Sequence, residues 1–193
     1  LPFFAELSSI RRNATVSHQS RRRVVIDGAP FIDFASCNYL GLDYHEDVIA
    51  AIPRLVAEWG VHPSWTRAVA SPLPYLELER ELAALIGAPS TLLFPSIAML
   101  NLGVLPILAA PRGVILADAA AHNTIQEACE LAAHRGITFA RFKHGDLADL
   151  ERQLLRFRGA STILIAVDGV YSMDVTFLDL PAYGALAKRY GAY

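Results

Sequence analysis

From residue 87 to the last residue, short apolar runs alternate with longer stretches of helical character. TLLF (91–94), VILA (114–117), ITFARF (137–142) and TILIAV (162–167) are too short for helices and mostly apolar, which is how strands buried on both faces read. The stretches 98–109, 124–134, 147–157 and 181–190 between and after them read as helices, and the last is bounded by Pro181 and Gly191 in the positions those residues favour at helix ends. Strands alternating with helices predict an α/β fold with a mostly parallel sheet covered by helices on both faces. Upstream, Val24–Ile26 and Phe31–Phe34 flank Asp27-Gly28 and predict a hairpin. Glu46–Trp59 and Tyr75–Ile86 predict two helices, the second closing on Gly87. LPFFAELSSIRRN reads as a short amphipathic N-terminal helix, so an arm over 1–45 precedes a main unit over 46–193. Ala192-Tyr193 reads as the start of another strand.

Composition narrows the functional classes. With 53% hydrophobic and 19% charged residues among 193, the chain can bury a sizeable core,. A formal net charge of −2 gives no electrostatic ground for a nucleic acid or an anionic membrane as partner, and Arg21-Arg22-Arg23 reads as a solvated face,. No apolar stretch is long enough to span a bilayer, and the N-terminus lacks the order of a signal peptide. Two cysteines, Cys37 and Cys129, make neither a disulfide framework nor a metal spacing, so a reducing cytoplasm is expected.

Ligands of open parallel sheets bind beyond the carboxyl ends of the strands, which directs attention to three loops. Pro95-Ser96-Ile97-Ala98 leads into a helix N-terminus, where unused N–H groups and the dipole suit a phosphate. Asp118 to His122 leaves the second strand ahead of a cap expected at Asn123, with Gln126 as its capping-box partner. Read alone, His122 is either a ring packed on a helix end or a ligand contact. Asp168 to Met173 carries a carboxylate and the Ser172 hydroxyl out of the most apolar strand, and a turn that satisfies loose backbone groups would use both.

Taken together, FIDFASCNYLGL, TLLFPSIAMLNLGVL, ILADAAAHNTIQEACELA, RFKHGDLADLE and DGVYSMDVTFLDLPAYGALAKRYGAY resemble, in order and spacing, the α-oxoamine synthase family from about Phe31 to Tyr193. The resemblance implies an aspartate-aminotransferase-like large domain, PLP fold type I. It implies pyridoxal 5'-phosphate (PLP) as cofactor, and a decarboxylative condensation of an amino acid with an acyl thioester at sites shared across a homodimer. By the same resemblance His122 stacks on the cofactor ring and helps orient the amino acid. Ser172 sits near the phenolic oxygen, and the backbone of Ile97 and Ala98 holds the phosphate where the family has glycine and an aromatic residue. Asn38 reaches toward substrate from the partner subunit, and Arg12 lies near an acyl-substrate arginine.

The chain departs from the family at GVHPSWTR, which replaces a glycine-rich segment and keeps its first glycine and Arg67, and at Tyr75, which replaces a histidine. Its two lysines, Lys143 and Lys188, lie outside the family's Schiff-base context, and the aspartate that pairs with the pyridine nitrogen belongs to the strand that begins at Ala192. The expectation is therefore an N-terminal part of a longer enzyme whose sheet lacks strands between 91–94 and 162–167. A lysine-less scaffold subunit is the alternative, and an aminotransferase of the same fold a lesser one.

Overall fold

The computed structural model describes residues 14–193 apart from Ala110 and Asp174. The expected N-terminal helix, and Arg12 with it, fall outside the described residues. The chain divides into two compact units, Leu1–Leu76 and Glu77–Tyr193.

In the first unit β1 (Val16–Ser20), β2 (Arg23–Ile26) and β3 (Ala29–Ile32) form an antiparallel sheet in that order. The predicted hairpin is β2–β3, turning through Asp27 at φ 51° and Gly28 at φ 78°. Two successive left-handed residues match the twist of the flanking strands, which is why Asp-Gly serves there. Strand β1 was not expected, because VSHQS has polar residues at four of its five positions and every residue of it is exposed. Helix α1 (Glu46–Trp59) follows as predicted, and α2 (Leu73–Ile86) begins two residues before its expected start.

The second unit continues with α3 (Ile97–Ala109), β4 (Val114–Asp118), α4 (Asn123–His134), β5 (Thr138–Phe142), α5 (Leu147–Arg156), β6 (Ile163–Ala166) and α6 (Leu180–Tyr190). Its three strands are parallel in the order β5-β4-β6. Strand β4 is central and buried at all five positions. Its side chains alternate between faces. Ile115 and Ala117 pack with Ile125, Cys129 and Ala132 of α4, while Val114 and Leu116 pack with Leu150 and Leu154 of α5 and Tyr183 of α6. One strand thus joins two cores, and its uninterrupted apolar run follows from being covered twice. Beyond β6, Tyr193 N–H donates to Ile163 O at 2.9 Å and Ile165 N–H to Tyr193 O at 2.7 Å. That is the parallel ladder pattern expected where Ala192-Tyr193 starts a strand.

The strand expected at 91–94 is absent. Glu79 of α2 takes its polar groups instead, accepting Leu93 N–H on Oε1 at 2.8 Å and the Thr91 hydroxyl on its carbonyl at 2.6 Å. An apolar run becomes a strand only where a neighbouring strand supplies the ladder, and none lies beside it among the described residues.

Two tests follow from this packing. A Cβ on Gly113 would stand 1.9 Å from Ala109 O and 2.8 Å from Ala109 C, both backbone atoms that cannot rotate away, so Gly113→Ala should cost about 3 kcal/mol in urea denaturation, whereas an unchanged midpoint would contradict the close approach of α3 to β4. Burial pushes the Cys129 thiol up to about 11, while Cys37 is exposed; an aromatic disulfide reagent should label Cys37 in native protein and reach Cys129 only on unfolding, as peptide mapping will show.

Candidate functional site

At the carboxyl ends of β4, β5 and β6 the loops are joined by side-chain hydrogen bonds. Strand β4 ends in Asp118, which is fully buried. Its Oδ1 accepts from Ala120 N–H at 2.8 Å and His144 Nδ1 at 2.9 Å, and its Oδ2 from Gly145 N–H at 3.1 Å. Because Asp118 pairs in register with Phe142, the last residue of β5, the turn after β5 returns directly over it. Asp118 therefore fastens the β4 and β5 loops together. The His144 ring stands edge-on to Tyr171 with centroids 4.4 Å apart. Burial, reinforced by the nearby charges of Asp118 and Asp168, holds the Tyr171 phenol above its ordinary range.

The third loop is tied in by Asp168, whose Oδ2 accepts the backbone N–H of His122 at 2.6 Å. His122, exposed, is itself the N-cap of α4, with Nδ1 accepting from Thr124 N–H at 3.2 Å. The expected cap at Asn123 is thus displaced by one residue. Gln126 is not a capping-box partner either: its amide donates to Asp118 O at 2.9 Å and accepts from Arg141 Nε at 2.8 Å. A ring nitrogen can serve as cap acceptor when the chain is already held by a bond such as that of Asp168, which leaves the Asn123 amide to bond Glu127 on the helix surface.

Helix α3 presents its N-terminus with Ser96 as cap. Ser96 Oγ accepts from Met99 N–H at 3.2 Å, so the N–H groups of Ile97 and Ala98 precede the first intrahelical bonds. Asn101, one turn further along, donates through Nδ2 to Thr124 Oγ1 at 3.0 Å, and that hydroxyl lies 2.9 Å from His122 Nδ1. The structure therefore connects His122, the opening turns of α3 and the Asp168 loop. Ser172 is exposed on that loop, which doubles back through a bridge between Val170 and Phe177.

Asn38 belongs to the first unit, where its amide donates to Asp43 Oδ2 at 3.1 Å. Lys143 follows β5 with its N–H on Asp149 Oδ2 at 2.7 Å, and both Lys143 and Lys188 are exposed. No group of residues able to hold a metal ion occurs among the described residues, and no helix there is long and apolar enough to cross a membrane. The sequence reading passed over His144 and the acceptor role of Asp118. The available signal was an ionisable residue closing an otherwise apolar strand, followed by a histidine two residues beyond the next.

No protein-family model matches the chain. The 8-amino-7-oxononanoate synthase of Chromobacterium violaceum is 39% identical over 189 residues, covering 97% of this chain and 48% of that protein. A putative 8-amino-7-oxononanoate synthase of Caulobacter vibrioides is 37% identical over 191 residues, covering 97% and 49%. The serine palmitoyltransferase of S. paucimobilis with a bound PLP–myriocin aldimine superimposes with a TM-score of 0.88 at 27% identity, over 99% of this chain and 51% of that one. The chain is homologous to the α-oxoamine synthases. Its fold is that of PLP fold type I enzymes, and it spans about half the length of the α-oxoamine synthases it matches.

Removing the central acceptor gives a direct test of how the loops are held. Asp118→Ala removes a buried acceptor shared by three donors and should cost about 3 kcal/mol in equilibrium unfolding, with stability near wild type counting against Asp118 as the fastening point.

Proposed function

We propose that this chain is part of a PLP-dependent acyltransferase that condenses an amino acid with an acyl thioester, releasing carbon dioxide and forming an α-oxoamine. The observation that carries this reading is His122, held at the carboxyl edge of the sheet and linked to the opening turns of α3, on a fold shared with serine palmitoyltransferase.

The donor set suits most of the cofactor. A phosphate dianion is stabilised by the N–H groups of Ile97 and Ala98 and by the dipole of α3, contacts that side chains larger than glycine do not remove because main chain makes them. The exposed His122 ring offers an aromatic face to a pyridine, and Asp168 fixes the backbone from which that ring projects. Ser172 supplies a hydroxyl for the phenolic oxygen. PLP, once bound, supplies the electron sink for a carbanion at the amino acid's α carbon. A Schiff-base lysine is not among these residues, since Lys143 and Lys188 both belong to other local contexts.

Asn38 and Arg12 are proposed to face substrate, Asn38 from the partner subunit of a homodimer. A cytoplasmic setting accords with two free cysteines, Cys37 and Cys129.

The test is turnover by the full-length protein with PLP, a panel of amino acids and acyl-CoA or acyl carrier protein thioesters, followed by release of free thiol. His122→Ala should retain cofactor and lose at least about a hundredfold in kcat/KM. PLP binding without turnover would favour the scaffold reading, and no PLP binding at all would overturn the proposal. Residues 1–193 alone should form no borohydride-reducible adduct with PLP; label recovered on Lys143 or Lys188 would contradict that.

A further inference from the structure

His122 Nδ1 is contacted by two groups, and one of them can only donate. The backbone N–H of Thr124 points at Nδ1 from 3.2 Å, so that nitrogen carries a lone pair and no proton. The Thr124 hydroxyl, 2.9 Å from the same nitrogen, must then also donate to it. With its single proton committed, Thr124 Oγ1 has only lone pairs left for Asn101, and it is the amide Nδ2 of Asn101 that meets it at 3.0 Å. Asn101 is 8% exposed, one of the two buried polar or charged residues found among the described residues alongside Asp118. A buried amide on a helix otherwise rich in apolar residues is costly unless its hydrogen bond is made, and this one is made to a hydroxyl leading to the candidate site.

We infer that Asn101 and Thr124 are positioning residues which hold His122 in one tautomer, protonated at Nε2, so that the ring presents a single N–H donor beyond the helix cap. The direction of every proton in the relay follows from the one group that has no choice, the Thr124 backbone N–H. The Asp168 bond to His122 N–H holds the other side of the same residue, so backbone position and ring tautomer are set by separate contacts from the loop after β6 and from α3. The functional consequence rests on the reading that His122 faces the cofactor. There, a ring that donates at Nε2 can hold an acceptor oxygen of an anionic substrate, whereas the other tautomer would turn a lone pair toward it.

The tautomer can be read directly in full-length protein labelled with 15N-histidine, from long-range proton–nitrogen correlation spectra assigned with His122→Gln. Wild type and Thr124→Ser should show Nε2 protonated and Nδ1 bare. Thr124→Val removes the hydroxyl donor at nearly constant volume and should raise the Nδ1-protonated share by about two- to tenfold, the equilibrium weight of one net hydrogen bond. Asn101→Asp should act in the same direction by drawing the hydroxyl proton to the new carboxylate, and melting curves identify any variant that fails to fold. A wild-type ring protonated at Nδ1, or a tautomer ratio indifferent to both Thr124→Val and Asn101→Asp in folded protein, would overturn the inference. PLP titration of the same samples separates the two claims: an intact relay in a protein that does not bind PLP would refute the cofactor reading and leave the relay standing, while PLP binding with an indifferent tautomer would do the reverse.

Discussion

The second unit depends on burying a carboxylate at the end of its central strand. Taking Asp118 out of water costs several kcal/mol, recovered only because three donors converge on it from its own loop and from the loop after β5. That requirement fixes the paths of both loops. With the β4 loop set, His122 arrives where Asp168 can accept its backbone N–H, and α4 starts there. The positions of the candidate site therefore follow from a buried charge that itself contacts no proposed ligand.

The two cores have a complementary role. Alternation along β4 sends Ile115 and Ala117 to one layer of helices and Val114 and Leu116 to the other, so the strand cannot slip in register by one residue without exchanging both sets. A rigid central strand allows polar chemistry at its end, because displacement of Asp118 would require both layers to repack. Gly113 at the opposite end, with Ala109 O where a Cβ would stand, shows the same tightness from the other direction.

Much of this architecture was legible in the chain. Runs covered on both faces, such as VILA, declare themselves by lacking a polar side, and the Pro181 and Gly191 boundaries of α6 follow from backbone chemistry alone. Legibility failed where a partner elsewhere decides the outcome. TLLF has the composition of a strand but gives its bonds to Glu79, and VSHQS has that of a loop but pairs with β2. The cap at His122 was missed for a related reason: Asn123 is the better cap in isolation, and only the distant Asp168 carboxylate shifts the helix start. Local resemblance located the loops that matter, whereas the Asp118–His144 and Asn101–Thr124 bonds join residues 26 and 23 positions apart, so that the residue types can be noticed in the sequence but their pairing is set only by the fold.

The central claim is that the opening of α3 and the His122 ring together receive PLP. A crystal structure of the full-length protein soaked with PLP tests it most directly. The account predicts phosphate oxygens within hydrogen-bond distance of the Ile97 and Ala98 N–H groups, and the His122 imidazole lying against the pyridine face. Cofactor density elsewhere, or a phosphate bound while His122 remains turned away from the ring, would contradict it.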